Sequence, residues 1–377
     1  MSLRKNRSSG SVWILIMGGI CLFGLPGDAS SSMGSAASAI QDESLSSYEQ
    51  MRAHLGELYQ QQKYAEAADL LDKALGRFPE HLKANTFNLA LMCSHLEQYD
   101  RGVKALLYGL ERGIWYGLYD FTHTLWDPYR ETKAFRDFLE RNDGFRLEAQ
   151  RRARPELKVQ APKGYTTENR YPLFIALHGG GENMAAFSGN WRSETLESEF
   201  IVAYLQSSQV VSMDGFGWTE DINLAKKEIF EAYQKILAEH SVDMDRILIG
   251  GFSSGGVAAL MVTLDETLPV AGFVVLCPAK PEGFTAEKVR AAAERGVRGT
   301  LLTTEMDRRL EDQKAMATLM ELESFPCEFI VTPDIGHWYP EDLAHKIDQA
   351  VAHVLNKGSI PIHHGNDTVG QAETSAR

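Results

Sequence analysis

Arg246-Ile247-Leu248-Ile249-Gly250-Gly251-Phe252-Ser253-Ser254-Gly255-Gly256 is the stretch that decides the fold of this 377-residue chain. An apolar run of strand length leads into Gly251-Phe252-Ser253-Ser254-Gly255, and small residues from Gly256 to Leu264 follow as a helix. Strand, G-x-S-x-G and helix in that order read as a sharp turn that presents a serine oxygen above a parallel sheet. The residues flanking such a turn must be small, because its backbone passes close to the neighbouring strand and helix; Gly251, Gly255 and Gly256 meet that need. Ser253 is therefore the candidate nucleophile. Centring the motif on Ser254 would put Phe252 at the crowded first position, and that register is rejected. The pattern alone is weak, so its meaning depends on what lies on either side.

Upstream, Tyr171-Pro172-Leu173-Phe174-Ile175-Ala176-Leu177 has the continuous apolar character of a buried parallel strand and ends in His178-Gly179-Gly180-Gly181. Attack by a serine on a carbonyl leaves negative charge on the former carbonyl oxygen, and unobstructed backbone N–H groups must point at it. Gly180, Gly181 and Ser254 are expected to supply them, the alternative being an ordinary glycine-rich loop. Downstream, the strand-like runs Gly299–Thr304 and Cys327–Thr332 lead into Glu305-Met306-Asp307 and Asp334-Ile335-Gly336-His337-Trp338. A serine hydroxyl needs a base to take its proton, and an imidazole oriented by a carboxylate is the usual one. His337 is assigned as that base. Asp307, 54 residues after Ser253 and 30 before His337, is favoured as the orienting acid over Glu305 and Asp334.

With these elements in the order Ser, Asp, His, residues 157–356 resemble the α/β-hydrolase fold. Within that superfamily they look most like small carboxylesterase, polyhydroxybutyrate-depolymerase-like and feruloyl-esterase-like proteins. The likeness rests on the segments RYPLFIALHGGGEN, FIVAYLQSS and VDMDRILIGGFSSGG and covers about half the chain. It implies a doubly wound, mostly parallel sheet, a Ser253-His337-Asp307 triad, an oxyanion loop at Gly180 and Gly181, a small-molecule ester substrate and no cofactor. Dienelactone-hydrolase relatives carry cysteine at the nucleophile position, so serine here points to ordinary ester chemistry; the same machinery also serves peptidases and thioesterases. Cys277, after the apolar run Phe273–Leu276, reads as a buried apolar residue. Trp191, Trp218 and Trp338 fall in loops at the expected catalytic edge, either lining a pocket or buried beneath neighbouring loops.

Arg4, Lys5 and Arg7 precede an apolar stretch, Val12 to Leu25, and Pro26-Gly27-Asp28-Ala29 offers small residues for cleavage. Residues 1–29 are expected to be a secretory signal peptide, which sets a secreted or periplasmic location, with a retained membrane anchor as the alternative. Cleavage takes away three positive charges and one negative and moves the net charge from −13 to −15. So acidic a product argues against nucleic acid and anionic lipid surfaces as partners. Cleavage also removes Cys21, and the three cysteines that remain, Cys93, Cys277 and Cys327, are odd in number and scattered, so no disulfide framework or metal-ligand spacing is read from them.

Residues 47–145 are expected to form an all-α domain ahead of the sheet. Leu55-Gly56, Tyr59, Tyr64, Ala67, Leu71, Ala74 and Pro79 recur in outline as Leu89-Ala90, Cys93, Tyr99, Gly102, Leu106 and Gly109. This resembles two tetratricopeptide repeats, whose period is about 34 residues, and implies a possible surface for a protein partner. No tryptophan opens either repeat and the second lacks the closing proline, so a generic pair of helical hairpins stands beside that reading. It leaves open a second class of function, a protein-binding scaffold with a vestigial hydrolase domain. The aromatic-rich continuation, Trp115 to Tyr129, with a helix from Ala134 to Arg141, reads as a hydrophobic cap on the array. Residues 30–46 read as a flexible leader and 358–377, with His363-His364, as a disordered tail.

Overall fold

The computed structural model describes residues 47–355, so the expected signal peptide, leader and tail, with Cys21 and His363-His364, lie outside the described residues. Among the described residues no helix is long and apolar enough to cross a membrane. They divide into two units: residues 47–154 with 208–216, and residues 155–207 with 217–355.

Helices α1 (Tyr48–Gln60), α2 (Tyr64–Arg77), α3 (Leu82–His95), α4 (Tyr99–Leu110), the short α5 (Asp127–Arg130) and α6 (Lys133–Arg152) build the first unit. A reciprocal cap starts α1: Ser47 Oγ accepts the Gln50 N–H at 3.2 Å, and Gln50 Oε1 accepts the Ser47 N–H at 3.3 Å. Small residues let the helices close on one another, most tightly at Gly102, where a Cβ would lie 1.7 Å from the Tyr129 hydroxyl. That hydroxyl is held in turn, donating to Ala90 O at 2.7 Å. Tyr116, Phe121, Trp126, Tyr129, Phe135 and Phe138 are all buried in one cluster, Phe121 meeting Trp126, Phe135 and Phe138 edge to face. Helix α6 runs past Arg141 to Arg152. Asn142, rather than competing with its own backbone, turns its amide onto Tyr116, accepting the N–H at 2.8 Å and donating to the carbonyl at 3.0 Å.

The second unit opens with β1 (Glu156–Gln160), β2 (Tyr171–Leu177), α7 (Met184–Asn190), α8 (Glu194–Glu199) and β3 (Ile201–Gln206). After the hairpin β4 (Gln209–Ser212) and β5 (Gly215–Gly217) come α9 (Ile222–Glu239), β6 (Val242–Phe252), α10 (Ser254–Leu264), β7 (Gly272–Leu276) and α11 (Ala286–Glu294). The chain then adds β8 (Arg298–Thr304), α12 (Leu310–Leu322), β9 (Cys327–Thr332) and α13 (Leu343–Val354). Seven strands form one mixed sheet in the order β1-β3-β2-β6-β7-β8-β9, with only β1 antiparallel to its neighbour. Strand side chains alternate between two cores. Leu173, Ile175 and Leu177 pack with Ile229 of α9, Leu260 of α10 and Met316 of α12, while Phe174 and Ala176 pack with Phe187 of α7 and Ile347 of α13. Helices thus cover both faces of the sheet, and α9 is capped by Asp221, whose carboxylate accepts the Asn223 and Leu224 N–H groups at 3.0 Å.

The pairing register aligns the strand ends that matter. Leu177 of β2 lies opposite Gly251, Phe252 opposite Leu276, Leu276 opposite Leu302, and Thr304 opposite Thr332. The carboxyl ends of β2, β6, β7, β8 and β9 therefore open on one edge of the sheet, where open α/β folds bind their ligands.

One segment departs from the sequence expectation that 157–356 is a single body: residues 208–216 belong with the helices. Val210 and Val211 are buried, Leu118 N–H donates to Val211 O at 2.8 Å, and Gln150 brackets the hairpin by donating to Ser208 O and accepting from Val210 N–H, both at 2.8 Å. A fragment beginning at Glu156 removes Leu118 and Gln150 from under that hairpin. It is expected to be less soluble than the full chain and to unfold at lower denaturant, as read by circular dichroism in urea. A second expectation concerns Gly250, where a Cβ would stand 2.2 Å from Val274 O and 2.8 Å from the Phe174 ring. Gly250→Ala is expected to cost about 1–3 kcal/mol through overpacking, read as a lowered urea midpoint.

Candidate active site

Ser253 is the residue between β6 and α10, and its backbone is at φ 51°, ψ −112°, a conformation that side-chain-bearing residues rarely adopt. Two backbone hydrogen bonds hold it there: Ser253 N–H to Leu276 O at 2.9 Å and Val257 N–H to Ser253 O at 3.0 Å. The hydroxyl consequently projects from the turn, and Ser254 opens α10 with an N–H that has no intrahelical partner.

His337 follows β9 in a loop tied down on both sides, with Met306 N–H donating to Ile335 O at 2.9 Å and Thr304 Oγ1 to Gly336 O at 2.7 Å. Its ring bridges two of the other candidates. Nδ1 lies 2.8 Å from Asp307 Oδ2 and Nε2 lies 2.9 Å from Ser253 Oγ. A carboxylate only accepts, so Nδ1 carries the proton and Nε2 is left to accept from the serine. Asp307 is fully enclosed. Burial by itself raises its pKa, but the hydrogen bond and charge of His337, the Arg309 backbone N–H at 2.9 Å and the Gln313 amide at 3.2 Å outweigh that and hold the carboxyl well below its usual range. The two competing acids are placed otherwise: Glu305 accepts the Asp334 N–H at 3.2 Å, and neither meets the imidazole.

Gly179, Gly180 and Gly181 follow β2. The Gly179 N–H is committed to Glu182 Oε2 at 2.8 Å, which leaves Gly180 and the left-handed Gly181 (φ 82°) as the turn of the loop. Glu182 also accepts from Tyr339 Oη at 2.7 Å, so one carboxylate links the glycine loop to the loop carrying His337. His178 is buried and serves as a brace: its Nδ1–H donates to Gly179 O at 2.7 Å and its Nε2 accepts the Ser207 N–H at 3.4 Å. Burial pushes its pKa down to about 4 against the raising effect of the Gly179 bond, so it is neutral at pH 7.

Four residues that motif reading had not singled out thus surround the candidates: Glu182, Arg309, Gln313 and Tyr339. Gln313, fully buried on α12, donates to both Pro278 O (3.1 Å) and Asp307, and accepts from Thr303 Oγ1. Arg309 Nη1–H donates to Ser253 Oγ at 3.3 Å. Trp191 and Trp218 are wholly buried, Trp218 donating to His178 O at 3.1 Å, whereas Trp338 is exposed beside His337. Cys277 sits just beyond β7 with its sulfur, an Asp307 oxygen and a His337 nitrogen within 4.8 Å of one another. Burial pushes its thiol up to about 12, so it stays protonated. With Asp307 and His337 already hydrogen-bonded to each other, these three atoms do not form a ligand set that a metal ion would need.

No family model matches the chain, and no curated protein matches it. Among solved structures it is similar to an uncharacterized protein from Bacillus cereus ATCC 10987, with 24% identity and a TM-score of 0.48 over 83% of this chain and 100% of that one. A ferulic acid esterase gives 15% identity and a TM-score of 0.43 over 55% of this chain and 100% of that one. An esterase from the planctomycete Thermogutta terrifontis gives 15% and 0.38 over 54% and 88%. All three TM-scores fall below 0.5, so the functional reading rests on the geometry of the site.

His178 makes a pH-dependent expectation. Its folded pKa of about 4 lies below the unfolded value of about 6.5. Its contribution is therefore whole above pH 6.5 and lost as pH falls towards 4, where the unfolded chain binds a proton that the folded one refuses. The loss is on the order of 3 kcal/mol. Urea unfolding at stepped pH should show this slope, and His178→Gln should flatten it between pH 6.5 and 4.

Proposed function

We propose that this chain is a serine hydrolase of the α/β-hydrolase type that cleaves carboxylic esters through an acyl-enzyme. The observation that carries the reading is the pair of hydrogen bonds on one imidazole, to Asp307 on one side and Ser253 on the other. Ser253 Oγ attacks the ester carbonyl while its proton passes to His337 Nε2. Asp307 keeps the ring in the tautomer that can accept it and stabilises the imidazolium. The tetrahedral oxyanion is held by the N–H groups of Ser254 and of the Gly180-Gly181 turn. Collapse breaks the C–O bond to the alcohol, which leaves with the proton from His337. Water then repeats the sequence on the acyl-serine, releasing the acid and restoring Ser253.

The proposal extends to setting and partners. The leader chemistry of residues 1–29 supports export, and the repeated pattern of small and aromatic residues on α1 to α4 supports a tetratricopeptide-like surface for a protein partner. The test of the chemistry is direct. A fluorophosphonate probe should label the full chain, Ser253→Ala should lose both label and ester cleavage, and Ser254→Ala should keep both because its donor is backbone. Asp307→Asn should lower kcat by a factor on the order of 10⁴, as in serine-protease triads. Labelling that survives Ser253→Ala overturns the assignment.

A further inference from the structure

We infer that Glu182, the residue after the glycine loop, is a second positioning carboxylate of this site: it ties the glycine loop to the His337 loop and sets its negative charge behind the imidazole. The inference rests on the esterase reading above. Glu182 Oε2 accepts the Gly179 N–H at 2.8 Å and the Tyr339 hydroxyl at 2.7 Å. The first donor opens the glycine loop, and the second stands two residues beyond His337.

The tie continues to the base through aromatic packing. Tyr339 is buried, and its ring lies against Phe252 with centroids 4.4 Å apart; Phe252 in turn meets the His337 ring at 4.9 Å. Carboxylate, tyrosine, phenylalanine and imidazole therefore form one run of contacts that begins on the glycine loop and ends on the general base. There is no slack at its start, because a Cβ on Gly179 would stand 2.7 Å from both Glu182 Oε2 and the Phe252 ring. Displacing Glu182 thus disturbs the oxyanion donors and the imidazole together.

The charge has its own part. A carboxylate oxygen with two donors on it is the ionised acceptor, and both donors are neutral groups, so they satisfy Glu182 without cancelling its charge. Burial raises its pKa, while the Tyr339 hydroxyl, the Gly179 N–H and the charge of His337 draw it down, so carboxylate and imidazole already feel one another. Of the two charges that the reaction develops, imidazolium and oxyanion, a carboxylate favours only the first; Glu182 therefore serves the base. The other titratable groups facing the imidazole are Asp307 from the loop after β8, Cys277 from the end of β7 and, across Ser253, Arg309. All three stay in place in the variants compared below.

The experiment follows kcat/KM for p-nitrophenyl acetate against pH with the full chain, subtracting the rate of Ser253→Ala. The acid limb of that profile reports His337 in the free protein. Glu182→Gln keeps an acceptor oxygen at the same reach and removes the charge, so its limb should move to lower pH by about 0.5 to 1 unit. Tyr339→Phe keeps the charge and removes one tie; it should lower kcat about 3- to 10-fold with the limb unmoved. Glu182→Asp, which keeps the charge but withdraws the oxygen by one carbon, should behave as Tyr339→Phe does. Urea unfolding of each variant separates loss of fold from loss of rate. A limb that stays in place in Glu182→Gln, or one that moves as far in Tyr339→Phe, overturns the inference and leaves the esterase standing. If Glu182→Gln does not fold, Glu182→Asp carries the test, and an unchanged kcat or a limb moved to lower pH overturns the inference. Absence of Ser253-dependent cleavage by the wild-type protein overturns the esterase reading itself.

Discussion

The approach of the β6–α10 turn to the end of β2 is the constraint from which the site follows. A Cβ at Gly251 would stand 2.5 Å from Leu177 O, and one at Gly255 would stand 2.3 Å from Leu177 O and 2.4 Å from His178 O. Backbone can come this close only where no side chain intervenes, so glycine on either side of the turn is a requirement of packing. The same closeness forces the reversal into few residues and puts Ser253 at a positive φ. Such a conformation costs on the order of 1–3 kcal/mol and persists because strands β6 and β7 and helix α10 over-determine it. Its return is positional: the hydroxyl stands clear of the sheet, and the N–H of Ser254 and the loop after His178 share one edge with it.

The second constraint is electrostatic. A carboxylate as enclosed as Asp307 would ordinarily take up a proton, and a protonated Asp307 could not fix the imidazole tautomer. Three N–H donors from three elements prevent that. Of these, Gln313 reaches in from α12, and its amide is wholly buried and satisfied at both ends. The acid side of the relay is thus supported from α12 and the base side from the loop after β9, and the two meet at one hydrogen bond.

Sequence carried those features whose physical cause is local. The elbow was legible because strand, small-residue turn and helix are consecutive, and His337 and Asp307 because each follows an apolar run that ends at the same sheet edge. Trp191 and Trp218 were ambiguous in sequence and are buried, since a loop tryptophan reveals nothing of what covers it. Glu182, Arg309, Gln313 and Tyr339 had no signal: each also meets a partner far off in sequence, Tyr339 and Glu182 each other across 157 residues, Arg309 Ser253 across 56 and Gln313 Pro278 across 35. Residues 208–216 were misplaced for the same reason. Gln209-Val210-Val211 reads as a short apolar strand, and nothing in a strand's own residues says which core its side chains will enter.

Two titratable groups around the relay, His178 and Cys277, are arranged to stay silent. Burial keeps His178 neutral above about pH 4 and Cys277 protonated up to about pH 12. Had His178 a normal pKa, mildly acid pH would place a positive charge under the glycine loop, and its Nε2 could no longer accept the Ser207 N–H. Had Cys277 ionised, a thiolate within 4.8 Å of Asp307 and His337 would draw the imidazole proton away from the carboxylate. Neutral, each contributes only shape and hydrogen bonds. Between those two limits neither gains nor loses a proton, so neither brings a charge of its own to the site.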